Sequence, residues 1–232
     1  MAESRFDKEA AEWDTNPTVK EASERALEAI LKYCPQLQDD RRELSAIEFG
    51  CGTGLLSLPF SRHVESLVAV DLSHGMVEAL KLKLSVANPE ASSNIRPVCA
   101  LITDPDDPAL QDDSNGGAPK RFDLLISNLL LHHIPELQPF LKTMFGVLAP
   151  GGVAIFLDFE NFGPAARKFH PESKMEGVER HGIVKEEIEE LMRAAGFSNV
   201  RVERPHTLKK PIDEGAGTGE FPFLACLGGK AI

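Results

Sequence analysis

The chain has 232 residues, 42% apolar and 26% charged, the composition of one globular domain with a sizeable core or of a core domain with small additions. Its 25 basic against 36 acidic residues give a net charge of −11, which repels a nucleic-acid backbone and leaves only the small clusters "DDRRE" and "KRF" to oppose it. No apolar run reaches membrane-span length, the charged start "MAESRFDKEAAEWD" lacks the apolar stretch of a secretory signal, and Cys34, Cys51, Cys99 and Cys226 form no CxxC pair, so a cytoplasmic chain with free thiols is expected.

Along the chain, "AEWDTNP" carries the only Trp beside a helix-start signal. Residues 18–33 then space Val19, Ala22, Ala26, Leu27, Ile30 and Leu31 on one helical face. "LSAIEF" reads as a buried strand, "LLSLPFSRH" as a helix that tolerates Pro59 only in its first turn, and "SLVAVDL" as a second buried strand. "SHGMVEALKLKLSVA" is a helix with Ser73 as its N-cap. Strands follow at "IRPVCALI" and "FDLLISNLL", then a helix at "LQPFLKTMFGVL" ended by "APGG", and a strand at "VAIFLDF". The helix "VKEEIEELMRAAGF" stops at Gly196, and "NVRVERP" and "FPFLACLG" are two late strands. Continuous apolar strands alternating with helices predict an α/β fold, a doubly wound and mostly parallel sheet covered on both faces. Two stretches break the alternation: the Pro-, Asp- and Gly-rich loop 103–121, and residues 160–182 between the fifth strand and its helix. The second lies where an open α/β sheet binds ligands, and is the better candidate for a substrate cover.

The run "IEFGCGTGL", Ile47 to Leu55, carries the chemistry. Gly50, Gly52 and Gly54 permit positive φ and a close approach of ligand to backbone N–H groups at a strand-to-helix turn. The spacing is G-x-G-x-G with Glu48 in front; the third glycine of a dinucleotide fingerprint is replaced by Leu55, and an acid is a poor neighbour for phosphates. Asp71 ends the next strand, 21 residues after Gly50, where a carboxylate can accept both hydroxyl hydrogens of a ribose. Ribose plus a cationic group, with no phosphate requirement, points to S-adenosylmethionine.

"IEFGCGTG", "VAVDLSHGM", "FDLLISNLLLHHI" and "LAPGGVAIFLD" stand in the order and spacing of class I S-adenosylmethionine-dependent methyltransferases, and residues 44–227 resemble that family. The likeness is nearest to its ubiquinone/menaquinone-type small-molecule group. It implies a Rossmann-like seven-stranded sheet in the order 3-2-1-4-5-7-6 with strand seven antiparallel. It also implies an N-terminal helical extension or lid over 1–40 and a methyltransferase domain over 41–232. By position, Glu48 would assist the glycine turn and the methionine amino group, and Gly50, Cys51 and Gly52 would line the methionine and ribose. Asp71 would take the ribose hydroxyls, Leu72 and Met76 would pack beside adenine, and the backbone at Ser127 and Asn128 would meet the methionine amino end. The acid that usually follows strand three is missing. Asp104, two or three residues late, is its candidate substitute, with backbone contacts as the alternative.

Candidates for acceptor chemistry are His132 and His133 after strand four, His133 foremost, Asp158 ending strand five, and His181 in "VERHG", an element that resembles one of related small methyltransferases. His170 shares that insertion, and Trp13 is either part of a lid or a packing anchor. "SNLL" in place of "NPPY" or "DPPY" disfavours nucleobase and glutamine acceptors, and no acidic-plus-Asn set marks a magnesium site. The expected activity is in-line methyl transfer to a small-molecule acceptor, without metal, nucleic acid or membrane. The alternatives are a cofactor-binding but inactive partner subunit and, against Leu55, a nicotinamide-dependent oxidoreductase.

Overall fold

The computed structural model describes residues 4–38, 43–86, 93–111, 120–212 and 217–232, so residues 112–119 of the expected loop lie outside the described residues. The strands are β1 (Ser45–Phe49), β2 (Ser66–Asp71), β3 (Ile95–Cys99), β4 (Phe122–Asn128), β5 (Leu148–Phe159), β6 (Ser198–Glu203), β7 (Thr207–Pro211) and β8 (Thr218–Gly229). The sheet order is β3-β2-β1-β4-β5-β8-β6. The first five strands are mutually parallel, and β8 enters antiparallel between β5 and β6, in the place expected for a final strand.

The expected count of seven strands is corrected to eight among the described residues. β7 pairs with the first half of β8, from Thr207↔Pro222 to Pro211↔Thr218, while β6 occupies the second half of the same edge. "TLKKP" hides this strand because only Leu208 is buried and two lysines and a proline surround it. "APGG" likewise ends the preceding helix but belongs to β5, whose register slips between Phe122 and Leu124 on β4.

Helices cover both faces. α2 (Pro17–Tyr33) starts at Asn16, whose side chain accepts from the Thr18 and Val19 N–H groups, with Pro17 in the first turn where its missing N–H is harmless. α2 packs Ala26, Ala29 and Ile30 against Leu67, Ala69, Leu124 and Ile155, joined by Phe60 of the short α3 (Ser57–Phe60) and Leu80 of α4 (His74–Val86). On the opposite face, α5 (Leu137–Val147) and α6 (Lys185–Ala195) bring Leu141, Met144, Ile188 and Met192 onto Ile47, Val68, Leu125 and Phe156. The expected helix ends hold: Ser73 Oγ caps the start of α4 by accepting the Met76 N–H at 3.2 Å, and Gly196 closes α6 in the left-handed region at φ +110°. Pro59 sits in the first turn of α3, which continues only into a 3₁₀ turn at Ser61–His63.

A third apolar cluster, Ala22, Phe159, Phe169, Leu208, Phe221 and Phe223, joins α2 and the β7–β8 hairpin to the 160–182 insertion. It fixes that insertion, otherwise built from short 3₁₀ turns at Pro164–Phe169 and Glu172–Lys174, over the carboxyl ends of β4 and β5. No helix among the described residues is long and apolar enough to cross a membrane.

Phe156 is fully buried in the larger core, with its ring edge-on to Phe140 at 6.5 Å and Phe197 at 6.2 Å. Phe156→Ala is expected to lower unfolding free energy by ~3–5 kcal/mol in a urea titration, the range for emptying an aromatic site in a close-packed core.

Candidate functional site

The strand order reverses at β1, whose neighbours are β2 and β4, and a crevice opens where these strands end. The turn after β1 is stitched to β2: the Gly50 and Cys51 N–H groups both donate to the Val70 carbonyl, at 2.9 and 3.0 Å. Gly50, Gly52 and Gly54 all take positive φ, and a Cβ on Gly54 would lie 2.4 Å from Leu80. A side chain there is excluded both by backbone conformation and by α4. The Asp71 carboxylate closes the crevice floor, accepting from Gly52 N–H through Oδ2 and Ser73 N–H through Oδ1, each at 2.8 Å. Burial raises its pKa, against the pull of these donors.

Glu48 lies on the same face as Ala46 and is 1% exposed. Ser57 Oγ donates to its carboxyl at 2.5 Å. Burial lifts this group to about 8, with the Asp71 charge adding to the rise and Ser57 opposing it. The Cys51 thiol is pushed up by burial and by the two neighbouring acids, the reverse of what a nucleophilic cysteine needs. Ser127 pairs with Phe49 across the reversal point, and both its buried hydroxyl and the Asn128 side-chain oxygen lack protein partners. Leu72 at the end of β2 and Leu101 beyond β3 are 60% and 65% exposed, apolar walls left open to a flat ligand. Met76 is packed into the core. Asp104 is exposed, and its Oδ1 closes its own turn by accepting the Asp106 N–H at 2.9 Å.

The N-terminal segment lies across the crevice. α1 (Arg5–Glu9) presents Asp7, whose carboxylate accepts from Ser73 Oγ at 2.7 Å and Gly75 N–H at 2.8 Å. With Ser4 adding two more donors, these bonds hold Asp7 far below the usual carboxylate range. Asp14 accepts from Thr53 Oγ at 2.6 Å and pairs with Lys83, whose ammonium also donates to the Thr53 carbonyl. Phe6 sits edge-on to Trp13 on one side and to His133 on the other, with centroids at 6.0 and 5.2 Å.

Beyond Phe6 the sequence candidates converge around His132, the neighbour of the expected His133. His132 is 1% exposed in the 3₁₀ turn after β4, and its Nδ1 lies 2.8 and 3.0 Å from the two oxygens of the fully buried Asp158. Asp158 also accepts the His132 and Phe159 N–H groups, at 3.0 and 2.8 Å, so it reaches the crevice only through the His132 ring. His133, the expected partner, instead sets its Nδ1 against the Gly177 carbonyl at 2.5 Å. His170 brings its ring centroid within 4.9 Å of that of His132. Burial, followed by the neighbouring imidazoles, lowers His133 to about 4 and His170 to about 2, so both rings are uncharged at neutral pH. Arg180 clamps the insertion onto this turn by donating to the carbonyls of Leu131, Ile134 and Pro135 at 2.6, 2.5 and 3.0 Å. The adjacent His181 has a buried Nδ1 with no protein partner.

A family profile described as a methyltransferase domain (Methyltransf_23) matches residues 19–202, more than three quarters of the chain. The chain belongs to this methyltransferase family. It is 29% identical over 165 residues to an uncharacterized methyltransferase, C1347.09, of Schizosaccharomyces pombe, covering 68% of this chain and 55% of that protein. It is 27% identical over 154 residues to the ubiquinone biosynthesis O-methyltransferase of Coxiella burnetii (strain Dugway 5J108-111), covering 66% and 59%. It therefore spans little more than half the length of either relative. Among solved structures, the DhpI-SAM-HEP complex superimposes with a TM-score of 0.62 at 18% identity over 95% of this chain and 93% of that one, a likeness of fold.

The crevice of this methyltransferase domain fits a nucleoside sulfonium by its own chemistry: glycines where a side chain is excluded, a buried carboxylate between two turns, open apolar walls beyond, and a second buried acid beneath. That second acid has a measurable signature. The folded pKa of Glu48 lies above its ordinary 4.5, so its contribution to stability is fully present below about pH 4.5 and is lost as pH rises through about 8. Glu48→Gln should melt together with the parent in acid and several degrees above it in alkali, read by thermal unfolding across that window.

Proposed function

We propose that this chain transfers the methyl group of S-adenosylmethionine to a small-molecule acceptor, releasing S-adenosylhomocysteine. The observation that carries the reading is the Asp71 carboxylate, set at the reversal of strand order and flanked by the N–H groups of Gly52 and Ser73. There it takes the ribose hydroxyls, while Gly50, Cys51, Gly52 and Gly54 leave room for the ribose and methionine portion. Glu48 faces the amino group with Ser127 and Asn128, and Leu72 packs on the adenine face with Met76 behind it. Asp104 has its carboxylate committed to a turn, and adenine is held by backbone and apolar walls instead. The four unpaired cysteines suit a reducing compartment, the cytoplasm.

S-adenosylmethionine supplies an electrophilic methyl on a positive sulfur that leaves neutral, so the leaving group requires no acid. The chain's own work is alignment and exclusion of water. Holding an acceptor in line is worth up to ~7–11 kcal/mol in favourable cases. Of the expected 1–40 extension, residues 4–16 act as the cover on one side, with the 160–182 insertion on the other and the imidazoles of His132 and His133 on the wall between them. Asp158 positions His132, and His181 Nδ1 takes the proton of an acceptor hydroxyl or amine.

Titration calorimetry with S-adenosylhomocysteine tests the cofactor assignment. Asp71→Ala should weaken binding ~10–100-fold, the value of about one hydrogen bond to a charged group, with cooperative unfolding retained; an unchanged dissociation constant would refute it. His181→Gln should lower kcat by ~10²–10⁴ with little change in S-adenosylhomocysteine affinity. The acceptor can be found by searching a metabolite extract for products heavier by one methylene unit after incubation with protein and cofactor.

A further inference from the structure

We propose that His132, His133 and His170 together hold a divalent transition-metal ion of the zinc class, with Asp158 orienting the first of these rings and one coordination position left open toward the crevice. One ring nitrogen from each of the three lies within 4.8 Å of the others. A tetrahedral site with bonds of about 2.0–2.1 Å places its nitrogens about 3.3 Å apart, so modest side-chain rotation closes the set. No metal is expected from the sequence, because two adjacent histidines and a distant third follow no ligand spacing.

Hydrogen bonding already assigns the lone pairs. The Nδ1 atoms of His132 and His133 face Asp158 and the Gly177 carbonyl, which leaves the Nε2 lone pair of each ring as its acceptor. His132 Nε2 is buried and has no protein partner, and neither has His170 Nδ1. A buried polar atom without a partner costs about 1–3 kcal/mol, and two in one cluster call for a shared occupant.

The surroundings select the ion. A carboxylate behind a ligating histidine is the usual outer support of a zinc site, fixing the ring and raising its basicity. Three nitrogen donors suit zinc or cobalt and not magnesium or calcium, which take oxygen. Phe159 and Phe6 wall the cluster, at 5.0 Å from His132 and 5.2 Å from His133. Two cationic groups also face it, but Arg5 donates to the Lys174 carbonyl and Lys210 to the Phe169 carbonyl. Their charges weaken the site without filling it.

The test uses the full chain, stripped with a chelator, incubated with zinc or cobalt(II) and desalted. The expected result is about one equivalent of metal per chain, a visible cobalt band of four-coordinate intensity, and a raised melting temperature. His133→Ala and His170→Ala, each checked for cooperative unfolding in chelator, should lose the metal, and Asp158→Asn should weaken it ~10–100-fold. His74→Ala, at an exposed position outside the cluster, should retain it. Retention of metal by either cluster variant, magnesium binding as tightly as zinc, or less than about a tenth of an equivalent on the parent chain would overturn the proposal. Metal content is read without cofactor or acceptor, so failure of the methyl-transfer reading would leave this result standing.

Discussion

The crevice depends on one carboxylate shared between two turns. Asp71 ends β2, yet its two oxygens hold the backbone after β1 through Gly52 and the backbone before α4 through Ser73. Ser73 then passes the connection outward, its hydroxyl donating to Asp7 and accepting from Met76. Three separate stretches of chain, around Asp7, Gly52 and Asp71–Met76, are thus tied to one point at the reversal of strand order. The arrangement is possible because the glycines let the first turn come close, and because burial of a charge is compensated by backbone donors in place of water.

The opposite side of the crevice is organised differently. There the central group is the His132–Asp158 pair, and the remaining residues belong to an insertion that folds back onto it. Arg180 does this with three carbonyl contacts, while Phe169, stacked on Phe159 at 4.0 Å, anchors the other end of the same insertion. The two halves of the site therefore rest on different physics: a hydrogen-bonded backbone on the nucleoside side, and aromatic packing around imidazoles on the other.

This difference decides what could be read from the sequence. The parallel strands are legible because both faces are buried, so each appears as a continuous apolar run, and Glu48, the glycines and Asp71 are legible because they sit at the ends of those runs. β7 is invisible because its pairing is with an edge of β8 and its side chains are mostly exposed. The histidine cluster is only half legible. Which of two neighbouring histidines turns inward depends on the rotation of a 3₁₀ turn, and no local pattern records that rotation. His170 and Arg180 reach the cluster through a tertiary fold-back of a segment with no periodicity. Asp104 shows the converse case: an acid near the expected position has one oxygen engaged in its own turn.

The position of α1 also bears on kinetics. Asp7 spans the start of α4 and Phe6 bridges the two halves of the crevice, so exchange of a nucleoside must include the parting of those bonds and their re-formation. Such segment motions run on the microsecond-to-millisecond scale and often limit turnover. In the proposed reaction, the same strap that keeps water from the reacting atoms would also slow the departure of whatever lies beneath it.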